Sequence, residues 1–182
     1  MFPSMLSLHS YCLGLAAGCL LVLSSSARAD DADDVTRLFR TGQTEQAFAR
    51  LDRLLAVQPK DPKLRFLRGV MQSDAQRTDE AVNTFRQLNE DHPDLPEPYN
   101  NLAVIHASRG DYAQARLALE AALAANPAYA VAHQNMAEVL LQLARQSYAK
   151  AAQLEPGNAV VAARLALLRQ LDLPAARTPG SP

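Results

Sequence analysis

Two histidines, His106 and His133, are the side chains in this sequence that come closest to a metal-binding set. The chain repeats every 34 residues, and the two lie in neighbouring units at positions that a stacked helical array would bring together. Zinc sites use about four ligands, and no carboxylate or thiol is fixed beside this pair. Side-chain hydrogen bonds in proteins go mostly to backbone or water. We therefore expect two structural histidines, with no metal ion and no cofactor.

Catalytic motifs are missing from the sequence as well. It contains no nucleophile elbow, phosphate-binding loop or HExxH pattern. Both cysteines, Cys12 and Cys19, lie in an apolar leader, so no thiol is expected in the remainder of the chain. The formal charge is −1, and removal of a leader containing Arg28 leaves 17 basic against 19 acidic residues, or −2. We expect a protein that is not an enzyme and does not bind nucleic acid.

The first 29 residues are organised like a secretory signal peptide. They contain no acidic residue, are apolar from about Tyr11 to Leu23, and end in Ala27-Arg28-Ala29. An apolar core of about 7–15 residues followed by an A-x-A site is typical of such signals. A spanning helix needs about 20 apolar residues, so an uncleaved anchor is the weaker alternative. We expect cleavage after Ala29, no stable membrane insertion of the mature chain, and a periplasmic or secreted location.

Several columns of residues recur at an interval of 34 in the remainder of the chain. They are three prolines, three alanines and three turn residues, namely Pro59, Pro93 and Pro127, then Ala47, Ala81 and Ala115, then Gly42, Gln76 and Gly110. This period is typical of helical hairpins stacked into a solenoid. Small residues allow two helices to approach closely, glycine turns the chain, and proline ends a helix.

The third unit, residues 96–129, resembles a tetratricopeptide repeat. Its sequence is PEPYNNLAVIHASRGDYAQARLALEAALAANPAY, with Tyr99, Ala103, Gly110, Ala115 and Pro127 at the diagnostic positions. The resemblance implies an all-α solenoid of about three and a half repeats, at about 30–61, 62–95, 96–129 and 130–157. A capping helix over 158–171 and a disordered tail over 172–182 are expected to follow.

The second and fourth units depart from this pattern. Arg65 and Arg68 occupy large apolar positions of the family, so we expect Phe66 and Leu67 to provide that packing instead. In the fourth unit, Pro156 arrives five residues early, and no turn residue occurs between 136 and 155. The pattern therefore predicts a single helix from about 131 to 154, roughly 36 Å long at 1.5 Å per residue.

Resemblance to the family also implies where a partner would bind. The first helices of tetratricopeptide repeats line a concave face, and we call the residues at those positions here the groove face. Asn100 could bond a ligand backbone or have a structural role, and both readings stay open. A carboxylate clamp is absent, because the last first helix offers Gln134 and Glu138, and the first offers Ala32 and Thr36. The groove face comprises Lys63, Phe66, Val70, Glu97, Asn100, Val104, Ala107, Gln134, Glu138 and Leu141.

Residues 60–156 are also similar to the repeat segment of secreted proteobacterial proteins associated with L,D-transpeptidase families. Three hypotheses follow. The first is a non-enzymatic scaffold in the bacterial cell envelope that binds a protein, peptide or helix in its groove. The second, implied by the narrower resemblance, is an accessory subunit of a peptidoglycan-modifying enzyme. The third is a self-assembling homo-oligomer joined near the end of the long helix, at Tyr148, Ala151 and Leu154.

Overall fold

The computed structural model describes residues 31–171, which are folded into eight α-helices without a β-strand. This confirms the all-α helical-hairpin solenoid. The expected signal peptide (1–29) and the expected disordered tail (172–182) lie outside the described residues. The chain divides into two compact units between Pro59 and Lys60. The helices are α1 (31–40), α2 (Thr44–Val57), α3 (Pro62–Asp74), α4 (Thr78–Asp91), α5 (Pro96–Ser108), α6 (Tyr112–Ala125), α7 (Ala130–Leu154) and α8 (Ala159–Gln170).

Unit 1 is the hairpin of α1 and α2. Gly42 turns the chain between them with a φ of 78°, in the left-handed region that glycine adopts without steric cost. The rings of Phe39 and Phe48 meet edge to face, with centroids 6.2 Å apart and an interplanar angle of 88°. An ion pair of Asp31 with Arg50 also joins the two helices. The first described repeat is therefore a closed hairpin with its own small core.

Unit 2 contains α3 to α8, and each helix packs against the next. The first helices of successive repeats, α3, α5 and α7, also contact one another and form a row. Alanines at the crossings are fully or almost fully buried, as the columns predicted. These alanines are Ala81, Ala103, Ala115 and Ala122. Their small side chains let the helices approach closely, so α3, α5 and α7 are held on a well-packed support.

In the second repeat, Phe66 provides the packing that the arginines cannot, as predicted. The centroid of its ring lies 5.8 Å from that of Phe85. Leu64 and Met71 of the same helix are buried, whereas Leu67 is only half-buried. Arg65 Nη1 donates to Asp91 Oδ2 at 2.5 Å. That hydrogen bond holds the pKa of the Asp91 carboxyl below its ordinary value. A position normally filled by an aromatic ring is thus occupied by an ion-paired arginine.

The turn between α3 and α4 places a non-glycine residue in a left-handed conformation. Gln76 has a φ of 63°, while Gly42 and Gly110 occupy the same column of the repeat at 78° and 77°. We expect Gln76→Gly to raise the free energy of unfolding by about 0.5–1 kcal/mol, because a side chain in this region is sterically disfavoured. Urea denaturation measures the change. The converse variant, Gly110→Gln, is expected to lower stability, and equal stability of both variants and the wild type would contradict this explanation.

The fourth repeat has the single long helix that the missing turn predicted. The first half of α7 buries Ala132, Asn135 and Val139, whereas no residue after Val139 in this helix is fully buried. The second half packs against α8. Arg145 donates hydrogen bonds to the carbonyl oxygens of Leu168, at 3.0 Å, and of Leu171. These bonds cap the C-terminal end of α8.

Helix α8 follows the turn at Pro156, where a capping helix was expected, and packs on α7. Leu165 is its one buried residue. Val160 and Leu167 on its other side are 69% and 56% exposed. The helix therefore covers part of α7 on one side and exposes apolar side chains to solvent on the other. None of the helices within residues 31–171 is both long and apolar enough to cross a bilayer.

Candidate partner-binding groove

The groove face lies on α3, α5 and α7, all of them in unit 2. Lys63 and Gln134 are exposed, while Asn100 and Glu138 are buried. The remaining six are half-buried, and four of these are large apolar or aliphatic side chains. The half-buried set is Phe66, Val70, Glu97, Val104, Ala107 and Leu141. The three first helices therefore present a continuous, partly accessible stripe that is mostly apolar.

The apolar stripe is anchored in the core beneath it. Phe66 and Val70 pack on the buried cluster that contains Phe85, and Ala107 packs on the cluster around Leu119. Side chains that touch a close-packed interior have few alternative rotamers. This part of the stripe is thus preformed, and a ligand would lose little free energy in ordering these three side chains.

Asn100 lies inside the row of first helices and not on its surface. Its exposed fraction is 0%, and its Oδ1 accepts a hydrogen bond of 2.8 Å from Nδ2 of Asn135. Nδ2 of Asn100 is buried without a partner. This geometry favours the structural reading of Asn100, because the amide joins α5 to α7 and no ligand atom can reach it without displacing a neighbour. The sequence did not predict a role for Asn135, because a polar residue inside a helix does not by itself indicate a buried hydrogen bond.

Glu138 provides a recessed carboxylate at the α7 side of the groove face. The residue is 9% exposed, and its Oε1 accepts a hydrogen bond from Gln134 Nε2 at 3.4 Å. Among residues 31–171 no cation forms an ion pair with it. Glu97, half-buried on α5, adds a second acidic group. The groove face therefore combines apolar side chains with carboxylates that have no cationic partner.

Tyr129 precedes α7, and its hydroxyl oxygen is buried without a hydrogen-bond partner. Burial, with a smaller contribution from the charge of Glu97, raises the pKa of Tyr129 to about 12. Since the unfolded tyrosine titrates near pH 10, the unfolded state loses its proton first. This residue should therefore lower stability as the pH rises from about 10 to about 12.

Tyr129→Phe is expected to leave stability at pH 7 unchanged or up to about 1 kcal/mol higher, because it removes a buried hydroxyl that lacks a partner. Above pH 10 the variant should lose stability less steeply than the wild type. Urea denaturation at several pH values measures both effects, with Tyr148→Phe as a matched control. A variant that is less stable at pH 7 and has an unchanged alkaline slope would contradict the assignment.

The two histidines each have a local partner. A ring nitrogen of His133, Nε2, lies 2.9 Å from the carbonyl oxygen of Pro127. His106 Nδ1 lies 3.9 Å from Asp111 Oδ2, in the turn before α6. Within the described part of the chain, no three His, Cys, Asp or Glu side chains are grouped in a way that could hold a metal ion. The contacts of both histidines are those of structural residues.

Two family models, both described as tetratricopeptide repeat, match the sequence, one over residues 38–105 and the other over 96–129. Together they span just over half of the 182 residues. A comparison with curated protein sequences gives no significant match. These matches concern the repeats and do not extend to the narrower group associated with L,D-transpeptidase families.

Solved structures share the fold at low sequence identity. The pilF structure of Pseudomonas aeruginosa has a TM-score of 0.57 and 20% identity, over 79% of this chain and 68% of that one. MamA has a TM-score of 0.54 and 18% identity, over 75% and 82%. A chain of the Naa15/Naa10 complex bound to HypK-THB has a TM-score of 0.51 and 15% identity, over 77% and 22%. Similarity at this level establishes the arrangement of helices and nothing about ligands.

Proposed function

Because this chain is a tetratricopeptide repeat protein, we propose that it is a non-enzymatic interaction scaffold that holds a peptide or helix of a partner protein on its groove face. Proteins built from this repeat generally mediate protein–protein interactions. The observation that carries the proposal is the mostly apolar stripe on α3, α5 and α7, which is anchored in the core at Phe66, Val70 and Ala107. An amphipathic helix or an extended apolar segment is the kind of ligand that such a groove receives.

We place this scaffold in the cell envelope. The support is the leader, in which an apolar run precedes Ala27-Arg28-Ala29. Both cysteines belong to that leader, which suits an oxidising compartment. The alternative role beside a peptidoglycan-modifying enzyme rests on the sequence resemblance of residues 60–156. A muropeptide profile of a deletion strain tests it, because a general scaffold would leave cross-linking unchanged.

One neighbouring structure is informative about the use of this fold. The chain in the Naa15/Naa10 complex bound to HypK-THB belongs to an assembly of several proteins. The same arrangement of helices thus serves there within a protein complex. This supports a role in assembly for the present chain, without indicating which surface is used or what binds.

Affinity capture from an envelope extract tests the groove directly. We expect Val104→Glu combined with Leu141→Glu to abolish capture of the partner, because the two charges would be desolvated in an apolar contact. Both side chains are half-buried on the groove face. Leu117→Glu is the matched control, since Leu117 is 49% exposed on α6, a second helix of its hairpin. If the partner is still captured by the double variant but not by the control, the groove face is not the binding surface.

A second copy of the chain is a further candidate partner, favoured by the terminal hairpin, which we define as the second half of α7 with α8. Its exposed apolar residues include Leu154 at 70%, Val160 at 69% and Leu167 at 56%. Exposed apolar patches commonly mark interaction sites. The terminal hairpin has four basic residues and one acidic residue, whereas residues 60–141 have eight basic and eleven acidic ones. The two segments therefore have net charges of opposite sign.

Light scattering after size-exclusion chromatography tests self-association of the purified chain at micromolar concentration. We expect a dimer or larger species that Leu154→Glu combined with Leu167→Glu converts to a monomer. Leu117→Glu again provides the control, because it adds a charge at a comparably exposed leucine of α6. A wild-type protein that is already monomeric would refute self-association.

A further inference from the structure

Glu138 is an unusual acidic residue in this unit because it is nearly buried and is far from a helix end. It lies in the middle of α7, which runs from Ala130 to Leu154, where the helix dipole offers no compensation. Glu97, by contrast, is in the first turn of α5, where a negative charge is stabilised. A buried carboxylate without a cation is costly, so Glu138 is a residue that the fold alone does not explain.

Solvent still reaches part of the Glu138 carboxylate. Within residues 31–171, three residues have side-chain polar atoms that are fully buried and lack a hydrogen-bond partner. They are Asn89, Asn100 and Tyr129. Oε2 of Glu138 is not among them and has no hydrogen-bond partner, so it retains contact with water. The carboxylate is thus a recessed acceptor that a long side chain could reach.

Apolar side chains flank this acceptor. Leu141 lies one turn beyond Glu138 on the same side of α7. The bond between Asn100 and Asn135 ties α5 to α7. Each of these helices contacts α6 and is joined to it by a short turn, as in an antiparallel helical hairpin, so α5 and α7 run in the same direction. One turn beyond that bond, Val104 and Glu138 come to the same level of the two helices. The acceptor and its flanks therefore suit a side chain with an apolar stem and a cationic end.

We infer that the groove face selects a partner segment in which a lysine or arginine lies among apolar residues, with its cation on Glu138 and its stem against Val104 and Leu141. This rests on the proposed function of the groove face. Lysine and arginine place an aliphatic stem on apolar surface while the charged group reaches a polar partner. The single basic residue of the groove face, Lys63, is on α3 and is separated from α7 by α5, so it does not satisfy Glu138.

A random-peptide phage library selected on the purified chain, expressed from its full sequence, provides the test. Counter-selection against Val104→Glu combined with Leu141→Glu keeps the peptides that depend on the groove face. We expect these peptides to be enriched in lysine or arginine beside apolar residues. Glu138→Gln should weaken their binding about tenfold or more. Glu120→Gln, at an exposed glutamate of α6 paired with Arg116, is the matched control and should leave binding unchanged.

A synthetic peptide in which norleucine replaces the basic residue gives a second measurement that does not depend on the folding of a variant. We expect the wild-type protein to bind it about tenfold or more weakly, and Glu138→Gln to weaken it no further. Groove-dependent peptides without basic residues, or binding insensitive to both changes, would overturn this inference and leave the proposed groove intact. A selection that returns no groove-dependent peptide would overturn both.

Discussion

Replacing Gly69 with alanine is expected to lower the free energy of unfolding of unit 2 by about 1–2 kcal/mol. A Cβ at this position would lie 2.5 Å from Cε1, 2.7 Å from Cζ and 2.9 Å from Cδ1 of Phe85. Phe85 is fully buried and packs on Phe66, so its ring has no free direction in which to move. Overpacking costs about 1–3 kcal/mol or more, and the better helix propensity of alanine returns about 1 kcal/mol.

Urea denaturation measures this effect, with Gly157→Ala as the matched control. Nothing lies within 4 Å of a Cβ at Gly157, so that variant should be close to neutral. Adding Phe85→Leu to Gly69→Ala should cost less than the sum of the two single changes, because a smaller side chain makes room for the Cβ. Strict additivity, or equal stability of the two alanine variants, would show that the contact with Phe85 is not the reason for the glycine.

Breaking the amide pair between α5 and α7 is the second large effect that we expect. Asn135→Leu leaves both polar atoms of Asn100 without a partner at a residue that is 0% exposed. An unsatisfied buried group costs about 1–3 kcal/mol. Asn100→Leu should cost less, because one of its two polar atoms is already unpartnered and leucine has a similar volume.

The double variant, Asn100→Leu with Asn135→Leu, should be more stable than the sum of the single effects predicts. Replacing both partners of a buried hydrogen bond with apolar groups removes the unsatisfied atoms together. A double-mutant cycle by urea denaturation gives the coupling energy, and a value near zero would mean that the pair does not link the two helices energetically.

The repeat period allowed the helices to be predicted because it reports local properties. Alanine at the crossings, glycine at the turns and proline after the second helix each act within one hairpin. The early Pro156 predicted a helix that the structure has from Ala130 to Leu154. These features need no knowledge of distant neighbours, so a single sequence is enough to place them.

Side-chain burial on the groove face could not be predicted in the same way. Asn100 is buried by a partner 35 residues away, and the sequence does not show that two amides meet there. Glu138 is recessed although it occupies a position that normally faces a ligand. Arg65 fills an aromatic position through its bond to Asp91, 26 residues further along the chain. Each outcome depends on packing between repeats, which periodicity does not encode.

Site-specific photo-crosslinking tests most directly whether the groove face of unit 2 binds the partner protein. A photoreactive phenylalanine analogue at Val104 or Leu141 places the probe on the groove face, and the same residue at Leu117 places it on α6. We expect partner adducts from positions 104 and 141 and none from position 117, as identified by mass spectrometry. Adducts from position 117 together with none from 104 or 141 would contradict this expectation.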